Sequence, residues 1–272
     1  MFELMFFLEC IRTVFMLYWI AKLERFHFKI EKNFMLEQFL YCIPLGFTTI
    51  IQNLNSYIDK LIISSIFSPS QYGVYSNGAM EIPFIGLITL SVVTVALPTM
   101  SKLYNTDGNI NAVIELWGKL TINTAVIIFP IFWILLINSR GYITFIFSTR
   151  YLDSIPVFKV HLLKFPLACT VFGNILIILR KQKYILYNMS IGMLLNIILN
   201  FILIRFFGII GAGYASVLVQ LLLVVLQLFQ IARFTKIQAR YLLPYYDLLK
   251  LFFISGLIAG FYFVLANFMS FG

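Results

Sequence analysis

The run NLNSYIDK sets Asn53, Asn55, Ser56, Asp59 and Lys60 inside an otherwise apolar stretch of this 272-residue chain. Asn53, Ser56, Lys60 and Ser64 recur every three to four residues, one face of a helix, with Asn55 and Asp59 on the adjoining strip. Farther on, Asn77 and Glu81 are again four apart, and Lys164 stands alone in a third apolar run. Ionisable groups in hydrocarbon are expensive, so those that persist face a cavity or a partner. The chemistry open to these residues is therefore binding of a charged or hydrogen-bonding ligand, or a buried ion pair that fixes helix packing. One helix carrying both signs beside a run of Asn and Ser favours the wet cavity.

Catalytic patterns do not appear. The chain has no Ser-His-Asp arrangement, no aspartate pair at metal spacing, no Gly-rich phosphate loop and no metal-ligand cluster. His27 and His161 lack ligand spacing to another His, Cys or Asp and are expected at solvated or interfacial positions. Cys10, Cys42 and Cys169 lie in apolar runs and imply neither a disulfide framework nor a metal site. Glu9 and Arg12, three apart, are expected to pair with each other. No cofactor is implied.

The elements that must hold these groups are membrane helices. The chain is 61% hydrophobic and 11% charged, whereas a soluble domain carries about a quarter charged residues. Its net charge of +9 belongs to cytoplasmic loops and not to a nucleic-acid partner. Apolar runs of about 20 residues mark eight spans, near 2–22, 38–67, 72–100, 118–138, 156–179, 184–204, 211–232 and 248–268. The fold class is an all-α polytopic transmembrane bundle.

Alternate loops, starting after the first span, hold 13 of the 20 basic residues against 4 in the other set. That bias puts the first set in the cytoplasm and both termini outside. An external N-terminus without a signal peptide suggests a chain whose upstream part is missing. The second and third spans form a hairpin whose turn, SPSQYG, centres near Ser70. Residues equidistant from it share a depth, so Lys60 or Asp59 is expected to meet Glu81 at roughly 12–15 Å inside the outer boundary. Lys164 reaches a similar level. Pro44, Pro83, Pro98, Pro130 and Pro166 should kink their spans, and Gly208, Gly211 and Gly213 should allow close helix approach.

The stretch from LEQFLYCIPLGF to LPTMSKLY resembles the O-antigen and capsule repeat-unit flippases, polysaccharide biosynthesis proteins of the multidrug/oligosaccharidyl-lipid/polysaccharide exporter superfamily. The carrying residues are Pro44–Gly46, Asp59–Lys60 and the S-P-S-x-Y-G-V-Y run ending at Tyr75. Asn196, Asn200 and Phe207–Gly213 are similar to that family's late hairpin.

The resemblance implies two six-helix lobes around a cavity, working by alternating access. By that likeness residues 38–232 would be the second lobe, 1–37 a preceding helix and loop, and 233–272 a following loop and helix. The first lobe would be a missing partner. The implied substrate is an undecaprenyl-diphosphate-linked oligosaccharide carried across the bacterial inner membrane. Lys60 and Lys164 would attract its anionic part, Asp59 and Glu81 would titrate or bind a coupling cation, and Asn53, Asn55 and Asn77 would bond the glycan. Two rivals stand beside this reading. One is a multidrug or lipid-precursor exporter of the same superfamily; the other is an integral-membrane glycan-modifying enzyme.

Overall fold

A computed structural model describes residues 2–23, 31–170 and 173–270. The loop residues Arg25, His27 and Lys29 lie outside the described residues. Among the described residues every regular element is helical. The elements are α1 (Phe2–Leu23), α2 (Lys32–Ile66), α3 (Pro69–Gly78), α4 (Pro83–Asp107), α5 (Ile110–Ile137) and α6 (Ser139–Phe147). A 3-10 turn at Thr149–Ser154 leads into α7 (Ile155–Leu162), α8 (Phe165–Ala168) and α9 (Gly173–Ile178). The chain closes with α10 (Gln182–Phe207), α11 (Ile209–Thr235) and α12 (Tyr245–Ser270). Among the described residues six helices, α2, α4, α5, α10, α11 and α12, are long and apolar enough to cross a membrane. The polytopic all-α expectation holds.

The chain divides into two compact units, Met1–Cys42 and Ile43–Gly272. In the first, α1 presents Phe6, Ile11, Phe15 and Trp19 outward, an all-round apolar surface suited to lipid. Glu9 and Arg12 do pair, at 3.1 Å.

In the second unit large apolar side chains also face outward, Val95 and Leu257 each 74% exposed. Lipid offers no hydrophobic gain for helix association, so close packing of small residues and specific hydrogen bonds must supply it. The α10–α11 hairpin turns at Gly208 (φ +57°) and brings Gly211 so close that a β-carbon there would sit 2.3 Å from the Leu203 carbonyl oxygen. On α5, Trp133 lays its ring against Gly256 of α12 and donates from Nε1 to the Phe252 carbonyl at 2.9 Å. Gly78 on α3 rests against Val157 and the Ser154 carbonyl.

Three local expectations are corrected. The SPSQYG run is not a turn centred near Ser70 but the start of α3: Ser68 caps it, with Gln71 returning a side-chain bond to the cap, and Pro69 opens the first turn. That is a capping box with the proline where its missing N–H costs nothing. The third span is not one bent helix, because α3 stops at Gly78 and α4 begins at Pro83. A residue before proline is pushed away from helical angles, and Ile82 is extended at φ −83°, ψ 112°. The fifth span is broken into α7, α8 and α9. Pro166 lies in the first turn of α8, and Leu163 and Lys164 bond back to Val160 and His161, a tightened turn that ends α7.

Candidate functional site

Asp59 is buried on α2 and gathers donors from three other helices. Ser216 Oγ on α11 donates to Oδ2. Asn200 Nδ2 on α10 donates to Oδ1 at 2.9 Å. The Tyr75 hydroxyl on α3 reaches Oδ2 at 3.4 Å. Tyr75 also lies 3.3 Å from Nε2 of His161 on α7, their rings edge to face. Gly213 makes this junction possible, since a β-carbon there would stand 3.1 Å from Val160 and 3.5 Å from the His161 ring. Asn196 and Asn200, four apart, put both amides on the same face of α10.

The network floors a cavity of about 310 Å³ whose lining includes Asn55, Asp59, Lys60, Glu81, His161, Lys164, Asn196 and Ser216. Asn55 Oδ1 is buried there without a hydrogen-bond partner. A second cavity of about 400 Å³ continues along α2, α10 and α11 and shares Gln52, Met189 and Gln220 with the first. Its polar lining is neutral: Thr48, Thr49, Thr170, Asn174 and Gln227. The groove thus has a charged end and an amide and hydroxyl end.

Of the residues singled out in the sequence, Asn55, Asp59, Lys60, Glu81 and Lys164 come together in the charged cavity. Asn53 is exposed, and Asn77 is half-buried on α3; neither lines it. The expected meeting of Lys60 or Asp59 with Glu81 does not occur as an ion pair. Among the described residues the ion pairs are Glu9–Arg12 and Glu115–Lys119, the latter at 2.7 Å. Glu81 falls in the non-helical link between α3 and α4 and lines the same cavity as Asp59, Lys60 and Lys164 without pairing to them.

His161 is corrected from a solvated or interfacial place to a buried one, 8% exposed. Tyr75, Asn196 and Asn200 entered the sequence reading only through the family resemblance, and none of the three, nor Ser216, was singled out there as a site residue. The Asn196/Asn200 spacing was a usable signal, since two amides four apart on an apolar helix demand partners.

The model of the family described as polysaccharide biosynthesis protein matches residues 5–156, more than half of the chain. The capsular polysaccharide biosynthesis protein CapF of Staphylococcus aureus is 31% identical over 74 residues, 27% of this chain and 19% of that protein. An uncharacterised membrane protein of Methanocaldococcus jannaschii is 26% identical over 209 residues, 76% of this chain and 48% of that protein. The chain therefore spans about half or less of the length of these relatives. No solved structure matches. With its membrane-length helices and this match, the chain is a multi-pass membrane protein that belongs to the polysaccharide biosynthesis protein family.

Proposed function

We propose that the chain forms the substrate cavity of a flippase that moves lipid-linked oligosaccharide units across the bacterial inner membrane for surface polysaccharide assembly. The carrying observation is the two-ended groove inside a membrane protein of this family. Lys60 and Lys164 line its charged end, and Thr48, Thr49, Asn174 and Gln227 its neutral end. An undecaprenyl-diphosphate-linked glycan has the same division, an anionic diphosphate and a polyhydroxyl chain. Lysine offers phosphate a mobile point charge. Neutral amides and hydroxyls can trade donors and acceptors with sugar hydroxyls. CapF, whose name ties it to capsular polysaccharide, supports the polymer as the destination.

Transport proceeds by alternating access, the groove opening to one side and then the other. The break at Glu81 and the broken α7–α9 segment supply the non-helical joints that such rocking needs, as irregular backbone at membrane depth is tolerated where it lines a cavity.

The test is complementation of a strain lacking the protein, scored for surface polymer and for protein in the membrane. Lys60→Ala with Lys164→Ala should reduce polymer at least roughly tenfold, as expected for loss of charged contacts worth about 1.4 kcal/mol or more. Protein level should stay near normal, because among the described residues neither Lys60 nor Lys164 holds an ion pair whose partner would be stranded. Undiminished polymer from the double variant would overturn the reading.

A further inference from the structure

The threonines that line the neutral end of the groove have no hydrogen to spare. Thr48 Oγ1 donates to the Pro44 carbonyl at 2.7 Å, Thr49 Oγ1 to the Leu45 carbonyl at 3.1 Å, and Thr170 Oγ1 to the Leu167 carbonyl at 2.9 Å. A hydroxyl has one hydrogen and two lone pairs, so each of these oxygens is left as an acceptor only. Amides fill the rest of the polar lining: Gln52, Asn174, Gln220 and Gln227. Their side chains make no hydrogen bond among the described residues, and each can both donate and accept.

A ligand that fits this end must therefore give hydrogens as well as receive them. Sugar hydroxyls do both. An ionised carboxylate only accepts, so it has nothing to offer the threonine oxygens. The amide hydrogens can bond it but leave its charge unbalanced.

Nor is a counter-charge at hand. Among the described residues no charged side chain lines this cavity. Lys60 lies eleven residues beyond Thr49 on α2, about 16 Å along a helix that rises 1.5 Å per residue. Its side chain cannot span that distance. Placing an ionised group in a membrane cavity without a partner is costly.

We propose that the groove selects a neutral glycan: the sugars next to the diphosphate are hexoses or N-acylated amino sugars and carry no carboxylate. The substrate's charge is then confined to the diphosphate, which Lys60 and Lys164 meet at the other end. This inference rests on the export reading and narrows its substrate from any lipid-linked oligosaccharide to an uncharged one. The selection is made by what the lining lacks, a cation, and by the acceptors that the threonines present.

The experiment uses the whole chain purified in detergent and three synthetic probes. They are bare undecaprenyl diphosphate, the same lipid carrying a glucose–glucose disaccharide, and the same lipid carrying glucose–glucuronic acid. The two disaccharides differ only in a CH₂OH group against a carboxylate. Binding is read by competition with radiolabelled glucose–glucose probe. That probe should bind at least roughly tenfold more tightly than the glucuronic acid probe, and more tightly than the bare lipid. Thr49 is exposed on α2, so a side chain there can change without disturbing the packed interior. Thr49→Lys supplies the missing cation and should erase the preference. Thr49→Val removes one acceptor and should weaken the glucose–glucose probe more than the bare lipid.

Equal binding of the two disaccharides to the wild-type chain, or tighter binding of the acidic one, would overturn the proposal. The two readings fail separately: equal binding with polymer loss in the lysine variant removes the neutral selection alone. A preference for glucose with undiminished polymer in that variant removes export alone. Binding of none of the three probes removes both.

Discussion

Asn188 on α10 and Gln230 on α11 hold each other through two amide hydrogen bonds, each 2.8 Å, with Asn188 wholly buried. In lipid such a reciprocal pair satisfies one donor and the acceptor oxygen of each amide. It fixes the register of the α10–α11 hairpin, and hence the height at which Ser216 meets Asp59. A double-mutant cycle with Asn188→Leu and Gln230→Leu should return a coupling of about 0.5–1.5 kcal/mol, in the range of interhelical hydrogen bonds measured in membranes. Additive losses in detergent unfolding would show that the pair does not couple.

Gly211 should tolerate no side chain. A β-carbon there meets backbone, the Leu203 carbonyl at 2.3 Å, and backbone cannot swing aside as a side chain can. Gly211→Ala should spread the hairpin and sharply reduce folded protein in the membrane. Gly86→Ala, on α4 with nothing within 4 Å of the added carbon, serves as the control. It should be neutral or stabilising by up to about 1 kcal/mol, from the helix preference of Ala over Gly. Equal yields of the two variants would contradict the close approach.

The Asp59 network should be graded in its sensitivity. Tyr75→Phe removes the 3.4 Å bond to Asp59 and the 3.3 Å contact with His161 and leaves Asn200 and Ser216 on the carboxylate. Its cost should be about 1–2 kcal/mol, the net worth of one or two ordinary hydrogen bonds. Asp59→Leu removes all three bonds at once: Ser216 loses its acceptor, while Asn200 keeps the Asn196 oxygens and Tyr75 keeps His161. That is a loss of roughly 1 kcal/mol per bond, with a further 1–3 kcal/mol or so for the stranded hydroxyl. The thermal midpoint should therefore fall further for Asp59→Leu than for Tyr75→Phe. The reverse order would show that Tyr75 and not Asp59 is the centre of the network.

Topology is open to labelling. In a background with Cys10 and Cys42 replaced by Ser, single cysteines at Ser70 and Ser148 should react with an impermeant reagent from outside. Cysteines at Asn109 and Lys181 should react only after permeabilisation. All four positions are exposed, so failure to react reports the membrane and not burial. Labelling of position 181 in intact cells would reverse the orientation read from the basic residues.

Hydropathy and charge are local properties, and what depends on them was legible in the sequence. A bilayer demands about 20 apolar residues per helix, so α2, α4, α5, α10, α11 and α12 were visible as runs. The Glu9–Arg12 pair was visible as a spacing. Breaks were less legible. Proline at positions 83 and 166 announces a disturbance but not whether a helix bends or stops. That depends on what α3 and α7 pack against, such as Gly78 against the Ser154 carbonyl.

The partners of Asp59 were not legible at all. Asn200 lies 141 residues away and Ser216 157 residues away, and no sequence period links α2 to α10 and α11. The depth argument chose Glu81 because it assumed an unbroken hairpin. The fold chose the α10–α11 pair, because Gly208 and Gly211 let those helices close tightly enough to carry the Asn200 amide and the Ser216 hydroxyl to one carboxylate. Which charges enter the membrane is a property of the chain; which groups answer them is a property of helix packing, where a few ångströms of backbone approach decide every contact.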